Sequence, residues 1–112
     1  MKSIKQELLE LNFNVNSIGL LYWVEAIEIY RKNKYSGIIE IYEDVAKKFN
    51  ATKSRVERGM RTAIIPAKEN IQKKYHYYNK IKNKTFLNLI TYGEEWVNGT
   101  RESNFIIKRN AI

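Results

Sequence analysis

Arg55, Arg58 and Arg61 recur at every third position of the stretch Asn50-Ala-Thr-Lys-Ser-Arg-Val-Glu-Arg-Gly-Met-Arg61. On a helix of about 3.6 residues per turn, that spacing strings three guanidinium groups along one flank. A guanidinium is planar and permanently charged, and its fork can donate two parallel hydrogen bonds to guanine O6 and N7. Glu57 stands among the arginines, and a carboxylate can accept from cytosine N4. The set is therefore able to read the edges of base pairs. The same residues also have a plainer use. Ser54-Arg-Val-Glu57 has the S-x-x-E form of a capping box, which would spend Glu57 on closing the helix start. Glu57 and Arg61 are also spaced to pair on a wet surface, for about 0.2–0.5 kcal/mol. Thr52 is an equally good N-cap and would release Glu57. On these residues alone both readings stand.

Turning residues 52–65 as a helix separates two arcs. Val56, Met60, Ala63 and Ile64, with Gly59 beside them, fill one side. Ser54, Arg55, Glu57, Arg58, Arg61 and Thr62 fill the other. The arcs do not mix, so one face packs while the other is presented to solvent or to a partner.

The rest of the chain must hold that helix. Ile41, Tyr42, Val45, Ala46 and Phe49 predict a preceding helix over about 40–49, ended by Asn50. A helix, a tight turn and a second helix make a helix-turn-helix over about 40–65, whose second member enters the DNA major groove. Upstream, Ile4, Leu8, Leu9 and Leu11 predict a short first helix, and Asn12 to Asn16 a break. Asn16 or Ser17 caps a second helix running to about Asn33. That helix is apolar on more than one side, as expected of the most buried element. Downstream, Pro66 removes a backbone donor and must kink or stop the recognition helix. Further helical segments are predicted over Ala67 to about Asn79, around Phe86 to Ile90, and from Ser103 to Arg109. No strand pattern emerges, so the fold class is all-α.

The chain has 112 residues and a net charge of +8, with no cysteine. The length suits one domain, 1–112. The lack of thiols rules out disulfides, thiolate metal sites and a cysteine nucleophile. Charge is unevenly spread: residues 45–84 hold 12 basic and 2 acidic groups, net +10, while residues 1–44 are net −2 and residues 85–112 neutral. A concentrated basic block attracts polyanions, although a solubilising surface is the plainer alternative. No long apolar segment suggests a leader or a membrane span, so a cytoplasmic protein is expected. Nothing assembles a catalytic set, a metal site or a cofactor loop. His76 is the sole histidine, the carboxylates are scattered, and the glycines are dispersed. Tyr75, Tyr77 and Tyr78 suit helical packing as well as stacking on single-stranded bases.

The run Tyr42 to Ile64, "YEDVAKKFNATKSRVERGMRTAI", closely resembles the DNA-binding effector domain of the stage zero sporulation protein A family of response regulators. "GLLYWVEAI", Gly19 to Ile27, is similar to the helix before it, and "LITYG" and "ESNFI" to the end of that domain. The resemblance implies a compact bundle of about six helices. It implies duplex DNA as partner, at sites with a TTCGACA-like core, with two domains seated head to tail on tandem sites. It places Arg55, Glu57, Arg58 and Arg61 on base contacts, and Lys47, Lys48, Thr52, Lys53 and Ser54 on phosphates. RNA polymerase is a further expected partner. The chain departs from the family in three ways. It leaves no room for a receiver domain, Pro66 falls where the family's helix continues, and the segment 68–84 is unusually rich in lysine. Solvation is the favoured reading of those lysines, with phosphate contact as the alternative. The competing function is a protein-interaction module or antagonist that binds RNA polymerase or a full-length relative; a general binder of RNA or single strands comes third.

Overall fold

A computed structural model describes residues 2–93 and 95–97. Among the described residues, six α-helices are delimited: α1 (Ile4–Glu10), α2 (Ile18–Lys32), α3 (Ile38–Phe49), α4 (Lys53–Ile64), α5 (Lys68–Tyr75) and α6 (Asn83–Tyr92). The described residues include no strand. All-α was the sequence expectation, and the helix count agrees with it.

Local chemistry sets most of the boundaries. The hydroxyl of Ser3 accepts from the Gln6 amide and caps α1, while Ser17 accepts from Gly19 and caps α2. Each satisfies one of the amides that a helix start leaves without an internal partner. At the far end of α3, Asn50 turns left-handed with φ 52°. The Ala51 amide then reaches back to the Ala46 carbonyl at 2.9 Å. This left-handed stop makes the turn to α4 tight. Pro66 acts as expected: Ile65–Ala67 form one turn of 3₁₀-helix before α5 resumes.

Two boundaries differ from the pattern-based expectation. α3 starts at Ile38 rather than about 40, because Gly37 takes an extended conformation as its cap. α5 ends at Tyr75 rather than about Asn79, because His76 turns left-handed with φ 51° and Tyr77 donates back to Gln72 O. The apolar and aromatic residues beyond His76 do not extend the helix. The helix expected over Ser103–Arg109 lies outside the described residues.

α2 is the central helix, packing against α1, α3, α4 and α6. Trp23 is completely buried on it, with its ring edge-on to Phe86 of α6 at 5.0 Å between centroids. Phe13, in the loop after α1, packs on Phe86 from another side at 5.6 Å. Asn88 is paired on both sides of its amide: the Tyr30 hydroxyl of α2 donates to its Oδ1 at 2.7 Å, and its Nδ2 donates back within α6 to Lys84 O at 3.0 Å. α3 and α4 rest on this platform, so the position of α4 is set mainly by what it meets on α2.

Candidate nucleic-acid interface

α4 begins with Thr52 in extended conformation, its Oγ1 accepting from the Arg55 amide at 3.1 Å. Thr52 is thus the N-cap, and Glu57 is not spent on a capping box. The Glu57 carboxylate instead takes Arg61 Nε at 3.2 Å, both side chains keeping substantial solvent contact. The division of the helix into two arcs appears as sequence periodicity requires. Val56, Met60, Ala63 and Ile64 are buried, while Lys53, Ser54, Arg55, Arg58, Arg61 and Thr62 are exposed and Glu57 is half-buried.

The buried face is held very close to α2. A Cβ on Gly19 would collide with the Gly59 carbonyl oxygen and stand 2.7 Å from Ala63 Cβ. A Cβ on Gly59 would come within 2.9 Å of the Tyr22 ring. Only glycine at 19 lets the two backbones approach so far. Trp23 Nε1 then donates to Met60 O at 2.9 Å inside the contact. Gly19, Tyr22 and Trp23 therefore position the exposed arc from its buried side. The one signal for this role in the sequence was a glycine inside each of two helical patterns.

The expected phosphate-binding residues separate into two groups. Lys48 Nζ is 2.6 Å from Glu25 Oε2 on α2, a hydrogen bond that holds its pKa above the usual lysine value. Lys53 Nζ approaches Glu43 Oε1 at 3.8 Å. Lys47, Arg55 and Arg58 make no ion pair with a described residue. Thr52 uses its oxygen as an acceptor for the cap, which leaves its hydroxyl hydrogen available, and Ser54 is exposed beside it.

Among the described residues, three clefts border the exposed arc, one of them on the α3 side along Ile39, Lys53, Ser54 and Arg58. On the α2 side, Ser17, Ile18, Gly19 and Tyr22 face Arg55, Arg58 and Thr62. On the α6 side, a cleft of about 380 Å³ is lined by Tyr42, Glu57, Arg61 and Asn83 and by four lysines, Lys68, Lys80, Lys82 and Lys84. Asn83 Nδ2 donates to the Tyr42 hydroxyl at 3.0 Å and to the Glu57 carbonyl at 3.3 Å. Its Oδ1 is buried without a partner among the described residues. Burial is the main reason that the Tyr42 hydroxyl is pushed above its ordinary pKa. Ile39, half exposed, stands over Glu57 and Arg58 from the start of α3. Sequence reasoning passed over both Ile39 and Asn83, since neither belongs to the periodic set on α4.

Among the described residues, no three His, Cys, Asp or Glu side chains gather as a metal site, and no helix is long and apolar enough to cross a membrane. The family model described as sporulation initiation factor Spo0A C terminal matches residues 4–92. The matched span begins at the first residue of α1 and ends at the last of α6.

Proposed function

Because the chain belongs to the family of sporulation initiation factor Spo0A C-terminal domains, which are DNA-binding domains of a transcription regulator, we propose that α4 enters the major groove of duplex DNA and reads its sequence. The carrying observation is the exposed arc of α4, where Arg55, Arg58 and Arg61 stand out from a helix whose opposite face is locked into the core. In this reading Arg58 and Arg61 take guanine edges, Glu57 accepts from cytosine, and Arg55 serves bases or backbone. The 3.2 Å pair between Glu57 and Arg61 orders both side chains before contact. Such pre-ordering lowers the conformational cost of binding. Thr52, Lys53 and Ser54 at the start of α4 and Lys47 in the last turn of α3 take phosphates, and Lys48 joins them when it leaves Glu25.

The resemblance supports a TTCGACA-like core, a second copy seated head to tail on a tandem site, and RNA polymerase as the protein partner. Selection of duplexes from a random pool at near-physiological salt tests the reading, and a TTCGACA-like winner is expected. A pool that yields no preferred duplex refutes it. Arg58→Ala should then weaken binding to the selected site by about 1–3 kcal/mol while leaving a scrambled duplex nearly unaffected. Equal losses on both would show that Arg58 senses charge rather than bases. Band shifts on one site and on two in tandem test the head-to-tail arrangement.

A further inference from the structure

The basic block of this chain is not centred on the recognition helix. Lys68 at the start of α5, Lys80 and Lys82 in the α5–α6 connection and Lys84 in the first turn of α6 all line the cleft beside Glu57 and Arg61. All four are exposed, and none makes an ion pair with a described residue. The lysines at the other end of the arc differ: Lys48 and Lys53 have carboxylate neighbours in Glu25 and Glu43. Among the described residues, the one carboxylate lining the lysine cleft is Glu57, and Arg61 already engages it. Unpaired like charges gathered round one cleft repel each other, and a polyanion laid across them relieves that repulsion while releasing its own counterions.

Dimensions choose the polyanion. The major groove is about 12 Å wide and a helix with its side chains about 10–12 Å across. A helix seated in the groove therefore has one sugar-phosphate backbone along each flank. On the flank toward α2, the cleft residues outside α4 are Ser17, Ile18, Gly19, Tyr22 and Thr52, none of them cationic. On the other flank stand the four lysines. We propose that Lys68, Lys80, Lys82 and Lys84 form a phosphate-gripping rim that holds the DNA strand running along the α6 side of α4, so that the two strands are held unequally. This rests on the major-groove reading above and adds a contact region outside the helix-turn-helix.

The test compares Lys80→Gln/Lys82→Gln/Lys84→Gln with a control triple, Lys2→Gln/Lys5→Gln/Lys32→Gln, which removes equal charge elsewhere. Binding of the full chain to its selected duplex and to a scrambled one is measured over a series of salt concentrations. Each phosphate that a variant leaves unneutralised flattens the slope of log K against log salt by about 0.9. The rim triple should therefore flatten the slope by roughly 2–3 and weaken both duplexes by the same factor. The control should leave the slope nearly unchanged. An unchanged slope in the rim triple, or an equal change in the control, overturns the rim and leaves the major-groove reading intact. A wild-type chain that binds no duplex overturns both.

Discussion

Clefts border α4 on both flanks, but the flank toward α2 is closed at its base by backbone contact, whereas the base of the flank toward α6 is left to polar side chains. On the closed flank Gly19 lies against the Gly59 carbonyl, and Trp23 Nε1 bonds Met60 O at 2.9 Å. On the open flank a cleft of about 380 Å³ separates Glu57 and Arg61 from the lysines, and Asn83 spans it with a hydrogen bond of 3.3 Å to the Glu57 carbonyl. Close packing between backbones fixes position, because interiors at crystal-like density transmit displacement rather than absorb it. Long charged side chains over a wet cleft fix little geometry but set the local potential. The closed flank therefore aims the arginines, and the open flank supplies the field in which they act.

Substitutions can break this contrast. The largest effect should come from Trp23→Ala, which empties a fully buried site and removes the bond to Met60. About 3–5 kcal/mol of stability should be lost, measurable by urea unfolding. Gly19→Ala should come next. Its methyl group meets backbone that cannot swing aside, so overpacking of about 1–3 kcal/mol outweighs the helix-propensity gain of about 1 kcal/mol from replacing glycine. DNA affinity should fall with it, because α4 is pushed out of line. Gly59→Ala sharpens the comparison from the other side of the contact. Its methyl group presses on the Tyr22 ring and meets Gly19 Cα only at an ordinary 4.0 Å; a shift of the ring should let the two effects nearly cancel and leave stability within about 1 kcal/mol of the parent. A loss at Gly59 as large as that at Gly19 would show that the ring is as immovable as the backbone.

The smallest effect belongs to the open flank and appears only at high pH. Burial raises the Tyr42 hydroxyl above its ordinary pKa of 10.0, against the hydrogen bond from Asn83; Glu57 adds to the rise and Arg61 opposes it. Tyr75 on α5 is pushed up to about 12, again by burial first. The folded protein thus keeps these protons after the unfolded chain has begun to lose them. Their contribution to stability is complete below pH 10 and declines as pH rises through the folded values. Urea midpoints should fall between about pH 10 and about pH 12, and Tyr42→Phe should make that fall shallower. An unaltered decline in Tyr42→Phe would assign the effect to Tyr75 and other groups.

The same contrast explains what could be read from the sequence. The arcs of α4 were legible because burial follows a 3.6-residue period, and Val56, Met60, Ala63 and Ile64 obey it. Asn50, Ser17 and Pro66 punctuated helices by local backbone chemistry, and each acts in the structure as its type dictates. The end of α5 was misplaced because Tyr77 and Tyr78 look compatible with a helix, while the left-handed turn at His76 carries no composition signal. The choice between Thr52 and Ser54 as the cap of α4 was undecidable from residue types, since both hydroxyls suit the role.

The amino-acid sequence by itself determined the all-α class, the helix-turn-helix and the charged face of α4, because these depend on periodicity and on neighbours a few residues apart. The Glu57–Arg61 pair, four residues apart, was also legible there, but tertiary structure alone decided which charges pair between elements. Glu25 reaches Lys48 across 23 positions of chain, and Lys68, Lys80, Lys82 and Lys84 share a cleft with Glu57 and Arg61 only after α6 folds back beside α4. Pairing between charges on different elements depends on distance in space, and no period in the chain encodes that distance.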